Sequence, residues 1–297
     1  MSMMDDIASI ESIRQTRVLV FASSQLDIDL LPSLYEVLAG MGPCERLDVV
    51  LYSRGGIINA ARRIALLLRE FAPRVSFLVP HYCESAGTVM ALSADEIIAG
   101  PLAIFSPIDP ILMAAQGARG GPLALSAQDL RLFGEMSSQW FGLSGDEAGR
   151  RAFDALSSSI FPTTLTSFYR STLEVEGICM ELMALHMAGA ETTRESIAKK
   201  LIFGFHSHTY ALTRDELRAI GLPVRSGSDA GLESMMWSIC RQLRSVIGGA
   251  ARTSAAEPWF DAFLGTTRGA CVRVRNEEFP GQWQRWEDDA DGCTAPG

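Results

Sequence analysis

The chain has 297 residues, 47% of them hydrophobic, which is enough for a substantial buried core in one large domain or two small ones and excludes a disordered adaptor. A formal net charge of −9 supplies no basic surface to neutralise a phosphate backbone, so no nucleic-acid partner is expected. The six cysteines, Cys44, Cys83, Cys179, Cys240, Cys271 and Cys293, lack the paired short spacing of a zinc site and read as reduced thiols, with no metal implied.

The N-terminal stretch MSMMDDIASIESIRQTR carries early acids and no signal-peptide-like apolar run. No segment approaches the ~20 apolar residues needed to cross a bilayer, so no integral membrane segment and a cytoplasmic location are expected. Three apolar runs then end in turn-forming residues: RVLVFAS (Arg17–Ser23), LDVVLYS (Leu47–Ser53) and VSFLVP (Val75–Pro80). They predict buried strands. Between the second and third, Ile57, Ala61, Ile64, Leu68 and Phe71 recur at helical spacing before Pro73. Ser85–Ala94 reads as a short helix of small residues and Glu96–Gly100 as a further strand. This alternation predicts an α/β fold with a mostly parallel sheet, helices on its faces and a site at the carboxyl ends of strands.

From about residue 125 to 200 the pattern turns helical, with segments expected at Ser126–Trp140, Asp146–Ser158 and Thr163–Met187. This block reads as an insertion or an oligomerisation element. A last helix lies near residues 228–248. The remainder, 248–297, rich in Gly, Ala, Pro and charge and holding three of the five tryptophans, is expected to be a loosely ordered C-terminal tail beyond a single domain of residues 1–247.

Two small-residue turns follow successive strands: Ser53-Arg54-Gly55-Gly56 and Cys83-Glu84-Ser85-Ala86-Gly87-Thr88. A glycine pair lets backbone N–H groups face a cleft with no Cβ in the way, as an oxyanion hole requires. A serine opening a helix sits where the macrodipole favours negative charge. Ser85 is therefore the candidate nucleophile, with the Gly55/Gly56 loop and the Ala86 N–H receiving the carbonyl oxygen. Each turn alone has an ordinary explanation, an N-cap for Ser85 and a simple turn for the glycines; their order on consecutive strands favours the site.

The stretch HYCESAGTVMALSADEIIAGPLAIFSPIDP, together with LYSRGG upstream and HSHTYALTRDELRAIGLPV downstream, resembles the serine dehydrogenase proteinase family, among the signal-peptide-peptidase-like serine proteases. The resemblance covers most of Leu47–Pro110 and about Ile197–Val224. It implies a Clp/crotonase-like fold, serine peptidase activity through Ser85 acting on peptides or unfolded proteins, and a homo-oligomer. It calls for no cofactor, metal or nucleotide. Arg54 stands where the family usually has proline, and Cys83 and Glu84 replace small residues or Met; these departures bear on substrate choice or on catalytic competence.

A serine hydroxyl needs a base within hydrogen-bond reach. Within the resembling segments, His208 is the candidate base and Asp109 its orienter, by analogy with triad geometry. The rival is a serine–lysine dyad using Lys199 or Lys200, since no lysine lies between Ser85 and Lys199. His81 lies so close before the serine that it is expected to point elsewhere. His186 and the stripe Met180, Met183, Met187 read as core or interface. Two further functions share the fold: a non-catalytic oligomeric binding subunit, suggested by Arg54, Glu84, Trp283 and Trp286, and a crotonase-like acyl-CoA enzyme, for which Arg54, Arg62 and Arg63 would supply charge.

Overall fold

The computed structural model describes residues 2–109, 111–114, 123–142, 145–227, 231–247, 259–275 and 281–286. In chain order its first half comprises α1 (Met3–Arg14), β1 (Arg17–Ser23), α2 (Leu30–Met41), β2 (Arg46–Ser53), α3 (Ile58–Phe71), β3 (Arg74–Val79), β4 (Tyr82–Cys83), α4 (Ala86–Ala91), β5 (Glu96–Ala99) and β6 (Ile104–Phe105). A small antiparallel pair, β7 (Ile111–Ala114) and β8 (Leu123–Ser126), leads into α5 (Ala127–Phe141), α6 (Gly145–Ser159), α7 (Pro162–Ala184) and α8 (Glu191–Phe203). The chain then forms α9 (Arg214–Ile220), β9 (Val224–Ser226), α10 (Leu232–Val246), β10 (Trp259–Thr266), β11 (Gly269–Arg275) and β12 (Gln282–Trp286).

The main sheet runs β12-β11-β10-β1-β2-β3-β5-β9, and β4 and β6 extend it beyond the end of β2. β1, β2, β3, β5 and β9 are mutually parallel, as expected. The apolar runs are continuous rather than alternating because both faces of these strands are covered. Leu19, Phe21, Val49, Leu51 and Phe77 pack into a core shared with α2, α3, α4, α7 and α8. Their neighbours Val18, Val20, Val50 and Leu78 pack into a second core beneath α1 and α10.

Helix ends follow local chemistry. Ser2 with Asp5, and Thr213 with Glu216, form reciprocal capping boxes at the starts of α1 and α9. The N-terminal stretch therefore begins with a helix whose Met3, Ile7 and Ile10 are buried.

The expectation of a loosely ordered tail over residues 248–297 needs correction for residues 259–275 and 281–286; the rest of that stretch lies outside the described residues. Residues 259–275 form a hairpin whose first strand pairs antiparallel with β1, and β12 adds to its outer edge. The misleading feature was charge inside strands: Asp261 and Arg273 are each only 2% exposed and neutralise one another. The expected helices of the 125–200 block are present with ends shifted by a few residues, and α4 is shorter than expected.

Candidate active site

β2 and β4 end side by side, with Ser53 paired to Cys83, so the two small-residue turns emerge together at the carboxyl ends of parallel strands. Glu84 N–H donates to Ser53 O at 3.0 Å and Gly87 N–H to Glu84 O at 2.8 Å, closing a tight turn over Glu84–Gly87. Ser85, its second residue, has φ 52° and ψ −117°. These are the angles of the second position of a type II′ turn, where glycine is at home and a side chain is strained.

Ser106 and Thr88 hold this geometry. The Ser85 N–H donates to Ser106 Oγ at 2.6 Å, Ser106 N–H donates to Thr88 Oγ1 at 3.2 Å, and Thr88 Oγ1 donates to Cys83 O at 2.8 Å. Ser85 begins α4, yet its side chain makes no capping hydrogen bond, so the hydroxyl is not spent on the ordinary helix-start role.

The glycine loop is pressed against the serine. A Cβ on Gly55 would lie 2.8 Å from Ser85 Cβ and 3.4 Å from its Oγ, and one on Gly56 would lie 2.4 Å from Leu26 N and Leu26 O. Both glycines have positive φ, 102° and 140°. Only glycine satisfies the backbone angle and the close approach together. The Gly55 N–H donates to Ser53 Oγ at 3.2 Å, whereas the N–H groups of Gly56 and Ala86 have no hydrogen-bond partner among the described residues.

Arg54 and Glu84 form an ion pair at 3.1 Å between the two turns, and Arg54 Cζ lies 4.0 Å from the centroid of the Tyr82 ring. Cys83 is fully buried, and its thiol is pushed up by burial and then by the Glu84 charge, so it offers no thiolate.

Asp109 and His208 meet in a cleft of about 230 Å³, also lined by Ser126, Gln128, Phe205 and His206. Burial raises the Asp109 carboxyl; the opposing effects are a 2.5 Å hydrogen bond from Ser126 Oγ and the charge of His208. His208 Nδ1 is buried without a hydrogen-bond partner among the described residues. Asp109 follows Ser106 by three residues, so one segment carries the contact to the serine turn and the acid facing His208. No hydrogen bond joins Ser85 Oγ to His208 or to any other base among the described residues.

The other candidates lie elsewhere. Lys199 pairs with Glu195 on the exposed side of α8, and Lys200 Nζ lies 5.2 Å from the centroid of the Phe205 ring. His81 stacks on Tyr82 with ring centroids 3.8 Å apart and edges toward Trp237; burial and then Arg244 and Arg54 lower its pKa. His186 Nε2 meets Leu92 O at 2.9 Å, with its pKa lowered chiefly by burial, and so has a packing role. Arg62 pairs with Glu181 on α7 and is not free to bind a ligand phosphate. Ser53 and Thr88 belong to the two turns read from the sequence, but their supporting hydrogen bonds carried no signal there, and Leu26 lies in no motif. Ser106 carried a signal only as part of the quoted Ser-Pro-Ile-Asp-Pro motif.

At the carboxyl ends of the mostly parallel strands of this α/β protein, a strained serine is thus backed by a glycine loop. The resemblance read from the sequence is borne out in this stretch: the sequence model of the ClpP-like SDH-type serine proteinases matches residues 39–119, which include both turns and Asp109. Two uncharacterized proteins of Methanocaldococcus jannaschii are 28% identical over 180 residues, covering 61% of this chain and 52% of the relative, and 25% identical over 178 residues, covering 60% and 53%. The chain thus spans about half the length of the curated relatives it matches. Among solved structures, a mutant of the 1510-N membrane-bound stomatin-specific protease aligns at TM-score 0.44 and 18% identity, over 73% of this chain and 82% of that one. An enoyl-CoA hydratase from Streptomyces coelicolor A3(2) aligns at TM-score 0.34 and 14% identity, over 76% and 68%. No helix among the described residues is long and apolar enough to cross a membrane.

Proposed function

We infer that the protein is a serine peptidase that cleaves peptide bonds through an acyl-enzyme on Ser85, without metal, cofactor or nucleotide. The observation that carries this reading is the Ser85 turn: a non-glycine residue held at φ 52°, its hydroxyl released from capping and set against Gly55. The substrate carbonyl oxygen takes the N–H groups of Gly56 and Ala86, and Gly55 permits the close approach. Gly55's own N–H serves Ser53 instead. His208 accepts the Ser85 proton and returns it to the leaving amine, while Asp109 orients the imidazole and stabilises its charged form. Catalytic hydrogen bonds in a ligand-free site commonly tighten only when substrate binds, which accommodates the missing Ser85–His208 bond.

The protein acts on peptides or unfolded proteins as a homo-oligomer with the helical block of about residues 125–200 at the interface. Supporting this, Trp140, Phe141, Phe153 and Tyr169 are exposed on helices of this block, and Phe161 is exposed just before α7. A second reading, a peptide-binding subunit that does not cut, is favoured by one observation, the absence of a base bonded to Ser85 among the described residues.

Hydrolysis of a mixed peptide set, followed by mass spectrometry, separates the two. Cleavage by the wild type, lost in Ser85→Ala and reduced ~10²–10⁴-fold in Asp109→Asn as expected for a misoriented histidine, supports the triad. Binding of peptides without cleavage by folded wild-type protein would leave the subunit reading standing.

A further inference from the structure

The C-terminal hairpin contains a charge cluster that the chemistry at Ser85 does not use. Arg273 on β11 donates from Nε and Nη2 to Asp261 on β10 at 2.8 and 2.9 Å, and from Nη1 and Nη2 to the two oxygens of Asp27 at 2.8 Å each. Arg275 adds contacts at 2.7 Å to Asp27 and 2.5 Å to Asp261. Two forked bidentate pairs on one guanidinium define position as well as charge. Asp261 lies within the hairpin, whereas Asp27 lies outside it, in the turn after β1.

That turn touches the glycine loop directly. Leu26 N–H donates to Gly55 O at 2.7 Å, and Ile57 N–H donates to Leu26 O at 2.8 Å, so the residue next to Asp27 pairs with the loop on both sides of Gly56. Ser24 N–H donates to Asp261 O at 2.8 Å, fixing the start of the same turn to the same hairpin. The turn is thus held between the hairpin and the loop whose Gly56 N–H has no hydrogen-bond partner among the described residues.

The geometry points to Arg273 and Asp27 as positioning residues for the oxyanion-binding loop, acting through Leu26: the C-terminal hairpin sets where the Gly55–Gly56 backbone stands relative to Ser85. This rests on the peptidase reading given above. Neither residue touches substrate, and the effect is on placement of a backbone donor, whose displacement by about 1 Å can cost ~10²-fold in rate.

The test uses the full chain and Asp27→Asn, which keeps the Arg273–Asp261 pair and the shape of the side chain. Three readouts are taken: the rate of Ser85 labelling by a fluorophosphonate, kcat and KM on a cleaved peptide, and amide exchange at Leu26 and Ile57 relative to strands β2 and β3. The expected result is labelling and kcat lowered about tenfold or more with KM little changed, the signature of a contact made only in the transition state. Faster exchange is expected at Leu26 and Ile57 while β2 and β3 keep their protection, and Arg273→Lys, which keeps charge but loses the fork, should behave similarly. Wild-type labelling, kcat and exchange in both variants, or exchange raised equally throughout the sheet, would overturn the proposal. If one variant does not fold, the other decides. If the wild type neither labels nor cleaves, the peptidase reading fails, and the exchange readout still decides whether the hairpin controls the loop.

Discussion

Replacing Ser85 by glycine and by alanine gives two variants that lack the hydroxyl and differ in backbone freedom. At φ 52° and ψ −117° a residue with a Cβ stores ~1–3 kcal/mol, which alanine keeps and glycine releases. Glycine also loosens the unfolded chain, offsetting about 0.4–1 kcal/mol of that gain. Taken at the middle of both ranges, the difference leaves Ser85→Gly more stable than Ser85→Ala by about 1.3 kcal/mol, with the remaining turn contacts, Gly87 to Glu84 and Ser106 to Thr88, common to both. For a domain of this size that corresponds to a thermal midpoint higher by roughly 2 °C. Urea unfolding followed by circular dichroism gives the free-energy difference directly. A glycine variant no more stable than the alanine variant would refute the strain at Ser85, and with it the idea that the surrounding network holds the serine in a costly conformation.

Gly56→Ala would place a Cβ 2.4 Å from backbone atoms of Leu26, so the loop must shift; labelling of Ser85 is expected to fall ~10²–10³-fold, as for loss of one oxyanion donor, with the circular dichroism spectrum retained. Unchanged labelling would remove Gly56 from the hole. Iodoacetamide at pH 8 should leave peptide cleavage intact, because burial keeps the Cys83 thiol protonated; stoichiometric alkylation of Cys83 in folded protein would contradict this. At Asp27 burial tends to raise the carboxyl, but the hydrogen bond from Arg273 and the charges of Arg273 and Arg275 outweigh it and hold the folded-state pKa below 3.8. A carboxylate depressed on folding contributes stability that is complete above its unfolded pKa and is lost as pH falls through the folded one. The thermal midpoint of the wild type should therefore exceed that of Asp27→Asn at neutral pH by a margin that shrinks below about pH 4; a margin that grows on acidification contradicts the assignment.

Much of this arrangement was legible in the sequence because the central strands are buried on both faces. Arg17–Ser23 appeared as one uninterrupted apolar run, and its ends match β1 residue for residue. The two turns were legible for a different reason: glycine at 55 and 56 and small residues around Ser85 are chemical requirements of close backbone approach. The hairpin of residues 259–275 was hidden because its buried charges mimic a solvated tail; nothing local in Asp261 or Arg273 announces a partner at Asp27, more than 230 residues earlier. Ser106 was equally hidden in its role, since its hydroxyl acts on the Ser85 backbone across 21 residues of chain. The pairing of Asp109 with His208 rests on analogy: the two line one cleft, and among the described residues no hydrogen bond joins His208 Nδ1 to Asp109 or Ser85.

Reaction of the purified protein with a fluorophosphonate, followed by peptide mapping, tests the central claim most directly. The account predicts one adduct, on Ser85, absent in Ser85→Ala and formed far more slowly in His208→Ala. A folded protein that takes up no label, or takes it up on another serine, would contradict the assignment of Ser85 as an activated nucleophile.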